Sequence, residues 1–249
     1  MKVGELVLLV SKKGSYIVEV GDGKLHTKDG VIDLVELKKK NFGDHIKTHL
    51  KEKFILIKPN IKDILEKKLK RMPQIIMPKD VAMIFAYTGV APGSLVVDAG
   101  TGSGFLSIFL ANYIKPGKVV TYEKDKRFIK AAKENIKSSG LEKFIKLKHK
   151  DISKGIDERD VDLITLDMKN SEKIVKHAHN TLVCGGWLVV YSPYIEHATK
   201  VVNKIKKIGF ENIKTVENIV REWQFEKYSR PKTIGLMHTG FLTFARKIE

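Results

Sequence analysis

A chain of 249 residues with 43% hydrophobic content has room for one catalytic domain of ordinary size plus a small extra module, and is too apolar for wholesale disorder. Its 46 basic residues against 29 acidic ones leave a net charge of +17, the signature of a polyanionic partner such as nucleic acid or of a solvated lysine surface. A single cysteine, Cys184, excludes an intrachain disulfide framework. No apolar run approaches the ~20 residues of a membrane span and no signal pattern precedes the first strand-like run, so a cytoplasmic protein is expected.

From Met1 to about Phe54 the chain carries short apolar or alternating runs, 6–10, 16–20, 31–37 and 54–57, separated by Gly14, Gly21-Asp22-Gly23 and Asp29-Gly30. That is strand-and-turn chemistry, and no helix is indicated before Ile61. The segment reads either as an RNA-docking module or as a packing or oligomerisation domain with a basic surface. Apolar residues at 61, 64, 65 and 69, with Asn60 as a cap, then predict a helix that serves as a linker. Pro73 stops it, and Pro78-Lys79-Asp80 opens a second helix.

Leu95 to Val97 reads as a strand covered on both faces, and Phe105 to Ala111 as an apolar helix. Between them Gly100, Gly102 and Gly104 let the backbone turn sharply and approach a ligand. A dinucleotide fingerprint would need its third glycine where Phe105 stands, and no Gly-Lys-Ser/Thr ending is present for a phosphate-cradling loop. An acidic residue, Asp98, precedes the glycines, and a second, Glu123, ends the next strand pattern, where a carboxylate suits both hydroxyls of a ribose.

Strand and helix then alternate. A helix over 125–138 ends at Gly140, strands over 144–147 and 161–166 lead to Asp151 and Asp167, and a helix capped by Ser171 runs to Leu182. A strand over 185–191 and a helix over 194–208 follow, and strands over 210–219 and 240–245, with no helix between them, are expected to pair antiparallel. The alternation implies a mostly parallel sheet with helices on both faces. Open sheets of this kind bind ligands beyond the carboxyl ends of their strands, which directs Asp98, Glu123, Asp151 and Asp167 to one crevice. His177 and His179 lie two apart on a helix, which is poor metal geometry, and no metal site is expected.

The sequence from Asp98 to Gly104 followed by Tyr122-Glu123 resembles the cofactor site of class I S-adenosylmethionine methyltransferases. Together with the blocks 71–80, Leu166-Asp167-Met168, Arg230-Pro231, 238–242 and Ala245-Arg246-Lys247, it resembles the TrmI family of tRNA adenine-N1 methyltransferases, which modify the T-loop. The resemblance implies a Rossmann-like α/β methyltransferase domain over 73–249, preceded by a small β-rich domain over 1–58 and a helical linker over 59–72. It implies S-adenosyl-L-methionine as cofactor, tRNA as partner, adenine 58 and its neighbour 57 as targets, and a homotetramer.

By the same resemblance Gln74 to Asp80 folds over the cofactor, Glu123 holds the ribose and Asp151 faces the adenine amino group. Gly100, Thr101, Gly102, Ser103, Gly104, Phe105 and Leu106 line the methionine part, with Asp98 and Asp167 beside it. Asp167 is the expected catalytic residue, accepting a hydrogen bond from the N6 amino group of the target adenine. For Asp151 a helix-cap role stays open. Tyr194 reads as a stacking ring for a flipped base or as a core residue, and Arg230 and His238 as RNA contacts or loop-ordering groups. The family's proline soon after the catalytic aspartate is replaced by Lys169-Asn170, which leaves the loop shape open. Two other readings fit the same residues: a tRNA-binding partner subunit without turnover, and methyl transfer to another acceptor such as an isoaspartyl protein.

Overall fold

Alternating runs broken by glycine turns fold the first part of the chain into antiparallel β structure. Strands β1 (Leu6–Ser11), β2 (Gly14–Glu19), β3 (Lys24–Thr27), β4 (Gly30–Asp33), β5 (His45–Lys47) and β6 (Lys53–Ile57) form a four-stranded sheet in the order β2-β1-β6-β5 and a separate β3-β4 ribbon. Their inward residues, among them Val7, Leu9, Ile32, Phe54 and Leu56, make a closed apolar core. The strand expected over 31–37 stops at Asp33, and a 3-10 helix (Leu34–Lys39) follows, which corrects the expectation that no helix precedes Ile61. The Asp33 carboxylate accepts the Val35 amide and so caps this turn, while Leu37 drops into the core. A capping box between Asn60 and Asp63 starts helix α1 (Ile61–Lys67), and Lys68 pairs with Glu19 of β2 at 2.6 Å.

The computed structural model describes residues 1–70, 75–233, 235 and 238–249, and the chain divides into two units, Met1–Leu69 and Lys70–Glu249. In the second unit α2 (Pro78–Thr88) leads to β7 (Leu95–Ala99), α3 (Phe105–Ile114), β8 (Lys118–Glu123), α4 (Lys126–Ser139), β9 (Ile145–His149) and β10 (Val161–Leu166). Then come α5 (Val175–Thr181), β11 (Leu182–Ser192), α6 (Ile195–Ile208), β12 (Glu211–Glu217), the short ribbon β13 (Trp223–Phe225) and β14 (Ser229–Pro231), and β15 (Phe241–Arg246).

Seven of these strands form one sheet in the order β12-β15-β11-β10-β7-β8-β9. The five strands from β11 to the β9 edge run parallel, and β15 lies antiparallel between β11 and β12. Parallel strands with both faces covered need continuous apolar runs, and Val96, Val97, Val119, Leu163, Ile164 and Leu188 are indeed buried. Chain order reverses beside β7, whose neighbours are β8 and β10, so the crevice for a ligand opens at the carboxyl ends of β7 and β10. The segment expected as one helix from Ser171 is a 3-10 turn (Ser171–Lys173) followed by α5, and Leu182 already belongs to β11. Ser171 does not cap it: its hydroxyl donates backwards to the Met168 carbonyl at 2.7 Å, after Asn170 has taken a left-handed φ of 60°. The ribbon β13-β14 carries no spacing signal strong enough to have been expected.

Candidate active site

The turn between β7 and α3 is built from backbone contacts that only glycine permits. Gly100 has φ +89°, and a Cβ there would sit 2.0 Å from the Asp167 carbonyl oxygen, so the turn and the end of β10 touch main chain to main chain. Asp167 completes the contact by donating its amide to Ala99 O at 2.8 Å. The amides of Gly100 and Thr101 both donate to the Tyr122 carbonyl, and Thr101 and Thr121 share a hydroxyl hydrogen bond of 2.6 Å. A Cβ on Gly102 would meet nothing closer than 3.8 Å, which leaves an open cradle over the turn. Beside it the Ser103 hydroxyl is buried with no hydrogen-bond partner. Phe105 and Leu106 are buried at the start of α3.

Glu123 ends β8 with both carboxylate oxygens anchored: Oε2 accepts Gly102 N at 2.9 Å and Oε1 accepts Asp125 N at 2.8 Å. These bonds fix the carboxylate at the rim and leave further lone pairs for a diol. It lines a small cavity of about 50 Å³ with Gly100, Tyr122, Lys124, Asp151, Ile152 and Met168. Asp151 caps a short 3-10 turn through Oδ1, which accepts Ser153 N at 2.9 Å, and this bond holds its carboxyl below the usual range. The cap does not preclude a ligand contact through the other oxygen. An open glycine cradle, an orphaned hydroxyl and two rim carboxylates suit S-adenosylmethionine: the cradle its methionine part, Glu123 its ribose and Asp151 its adenine amino group. Gln74 lies outside the described residues.

Asp98 and Asp167 stand at the ends of neighbouring strands in opposite surroundings. Asp98 is buried and accepts three hydroxyls, from Ser107 at 2.5 Å, Thr165 at 2.7 Å and Thr121 at 3.0 Å. Burial still raises its pKa, with the three donors working against the rise. Asp167 retains some solvent contact, yet no hydrogen bond reaches its carboxylate among the described residues. Burial first, and then the charge of Asp98, push its pKa up to about 7. A carboxyl poised at neutral pH with open acceptor sites is what a ligand with an amino group would seek.

The Tyr191 side chain joins Asp167, Ile84 and Leu106 around this point, and its hydroxyl donates to the Thr239 carbonyl. Burial, followed by Asp80 and Asp167, pushes the phenol up to about 12, so it stays a neutral donor. Thr239 in turn donates to the buried Asp80 at 2.7 Å and accepts from Lys79 at 2.7 Å, while Asn218 donates to the Lys79 carbonyl at 2.7 Å. This lock fixes the start of α2 against the strands that follow β11. Lys79 and Asp80 belong to the segment expected to fold over the cofactor, but Tyr191 and Thr239 are not among the expected site residues. The Pro78-Lys79-Asp80 helix start and the His238-Thr239-Gly240 block were visible separately, but nothing local in sequence joins them.

Arg230 lies on β14 opposite Gln224, and lines a broad cavity of about 950 Å³ with Met77, Lys79, Arg221, Lys232 and Thr239. Four cationic side chains line it, of which Lys79 pairs with the buried Asp80 at 2.8 Å and Lys232 with Glu222 at 2.5 Å, so Arg221 and Arg230 carry most of its positive charge. His238 is a brace: Nδ1 donates to the Glu217 carboxylate and Nε2 faces the Pro193 carbonyl at 3.1 Å. With both ring nitrogens against acceptors, the hydrogen bond to Glu217 above all raises its pKa. Tyr194 stands at the start of α6, is 62% exposed and meets His197 edge-on at 5.4 Å, so it is not a core residue. No group of three or more metal-ligating side chains occurs among the described residues, and no helix among them is long and apolar enough to cross a membrane.

Residues 53–234, more than half of the chain, match the family model of the tRNA methyltransferase complex GCD14 subunit. A relative from Methanocaldococcus jannaschii, the tRNA (adenine(57)-N(1)/adenine(58)-N(1))-methyltransferase TrmI, is 36% identical over 96% of this chain and 94% of its own. The tRNA (adenine(58)-N(1))-methyltransferase TrmI of Thermus thermophilus is 27% identical over 98% and 97%. Among solved structures, an S-adenosylmethionine-dependent O-methyltransferase from Thermotoga maritima, 32% identical, superposes with a TM-score of 0.89 over 100% of this chain and 95% of that one. The tRNA (m1A58) methyltransferase TrmI from Aquifex aeolicus, 25% identical, does so at 0.83 over 100% and 99%. With its glycine turn, rim carboxylates and switch-point crevice, the chain belongs to the TrmI/GCD14 family of tRNA methyltransferases.

Proposed function

We propose that this chain transfers the methyl group of S-adenosylmethionine to N1 of the T-loop adenine of tRNA, at position 58 and at the neighbouring 57. The observation that carries the reading is the Asp167 carboxyl, unbonded among the described residues and pushed up to about 7, at a strand end held against the glycine turn. S-adenosylmethionine, when bound, supplies an electrophilic methyl on a sulfonium. Adenine N1 already has its lone pair, so Asp167 need not act as a base on the attacking atom. Its carboxylate accepts a hydrogen bond from the N6 amino group, which raises electron density at N1 and stabilises the cation formed on methylation. The Gly100 contact fixes the spacing between the donor turn and this carboxylate, which supplies acceleration through orientation.

The cavity lined by Arg221, Arg230 and Lys232 suits the phosphates around an extruded adenine, offsetting the cost of opening the T-loop. The exposed side chains of Ile219, Val220, Trp223, Phe225 and Tyr228 on and beside β13-β14 suit contact with further copies of the chain, in the homotetramer expected of the family. A cytoplasmic location agrees with the tRNA substrate.

The test is transfer of labelled methyl to unmodified tRNA, followed by mapping of the modified base. Label on adenine N1 in the T-loop is expected, and light scattering should give the mass of four chains. Asp167→Asn should keep donor affinity and lower kcat by ~10²-fold or more. Tight donor binding with no labelled tRNA would leave a partner subunit without turnover, and label on protein or on a small molecule instead would replace the acceptor.

A further inference from the structure

A second cavity lies beside the Asp167 centre and has no part in the chemistry above. It measures about 310 Å³ and is lined on one side by Met168 to Glu172 and on the other by Tyr191, Ser192, Pro193, Tyr194, His197 and Lys200. Both walls are rigidly built. Asn170 takes its left-handed turn and Ser171 bonds back to Met168, while Tyr194 is seated at the start of α6, its carbonyl accepting His197 N and Ala198 N. His238 holds the Pro193 carbonyl just before it at 3.1 Å.

The lining offers two kinds of contact. Tyr194 presents an aromatic ring with most of its surface free, backed by the edge-on His197 ring. Lys169 and Lys200 are exposed on the rim, and no ion pair holds either among the described residues; Glu172 is the one acid on the lining. An aromatic platform flanked by unpaired cations is the chemistry of a single-stranded nucleotide site, with stacking for the base and point charges for the phosphate.

Such a base is not the methylated one. Asp167 does not line this cavity, its neighbour Met168 does, and Asp167 borders instead a tight space with Ile84, Leu106 and Tyr191. Tyr191 borders both spaces. A base that brings its amino group to Asp167 is at the space that Tyr194 does not line, and the nucleotide that Tyr194 meets is one adjoining it in the strand.

We propose that the cavity between the Met168–Glu172 loop and the start of α6 is a subsite for a nucleotide adjacent to the target adenine, its base stacked on Tyr194 and its phosphate held by Lys169 and Lys200. This rests on the tRNA reading given above. It is tested by a two-by-two experiment with the full-length enzyme: wild type and Tyr194→Ala, each on tRNA intact or made abasic at the nucleotide immediately 5′ or 3′ of the target. At one of the two neighbours the abasic change should lower wild-type kcat/KM by ~10-fold, the scale of one base-on-aromatic stack. Tyr194→Ala should cause a similar loss on intact tRNA with donor affinity unchanged, and the abasic change should then add less than about 2-fold. Tyr194→Phe should keep wild-type values. Lys169→Gln and Lys200→Gln should each flatten the salt dependence of tRNA binding by just under one unit of slope. If the abasic changes at both neighbours cost wild type nothing, or if the one that costs wild type ~10-fold costs Tyr194→Ala as much, the subsite is overturned. Failure of the function reading would look different, because wild type would then place no label on adenine N1 of intact tRNA.

Discussion

Two carboxylates one strand apart show how the same side chain becomes structure in one place and chemistry in another. Asp98 on β7 is directly in register with Thr165 of β10 and Thr121 of β8, and both threonines, together with Ser107 of α3, donate to it. Asp167 follows the last residue of β10 and has its main chain bonded to Ala99 while its carboxylate has no donor among the described residues. Burial raises both pKa values, but Asp98 has three protein donors and Asp167 has none among the described residues, which on the proposed reading a ligand supplies. A buried acceptor without a donor costs stability in the free protein, and that cost is recovered when a substrate amino group arrives.

The sharpest way to break this contrast is at the contact that joins the two ends. Gly100→Ala places a Cβ 2.0 Å from the Asp167 carbonyl oxygen at positive φ, and should cost ~4 kcal/mol in denaturant unfolding and abolish donor binding. Donor affinity retained within about 2-fold would mean that the turn opens freely. Asp98→Asn disturbs three hydroxyl hydrogen bonds and should destabilise by ~2–3 kcal/mol in the same assay. Because the Asp98 charge helps raise Asp167, that variant should also move the acid limb of kcat/KM downward in pH.

In wild type, the same limb should fall as pH drops through about 7, since the acceptor form of Asp167 is the ionised one. The stability of the fold runs the other way. With its folded pKa raised, Asp167 favours the fold below its unfolded value near 4, and this contribution is lost as pH rises through about 7. Asp167→Asn, inactive by the ~10²-fold given above, should therefore stabilise the free enzyme by ~1–3 kcal/mol at pH 8 and not at pH 4. An Asn variant no more stable than wild type at pH 8 would show Asp167 to be satisfied in the free enzyme. The smallest effect is expected at His238, an exposed brace: His238→Ala should cost ~1 kcal/mol or less and leave the Asp167 pH limb in place.

The sequence made the donor half of the site readable, because that half is local. Gly100 to Gly104 and Glu123 sit at the ends of apolar runs, where strand geometry itself aims them into the crevice. The acceptor half was read less completely. Thr239 reaches Asp80 across 159 positions, and Tyr191 reaches Thr239 across 48, distances over which no spacing rule carries information. At Leu34 and at Ser171 the sequence pattern was followed too far, because a carboxylate cap and a left-handed Asn170 interrupted runs that periodicity alone would extend. Tyr194 was recognised as an aromatic at a strand end, but its exposure and the cavity beside it depend on how the 168–172 loop packs.

The meeting of Gly100 with the backbone of Asp167 gives the enzyme a fixed gauge. On the proposed reading, the gap across which the methyl group travels is set by these two peptide groups and not by the side chains around them.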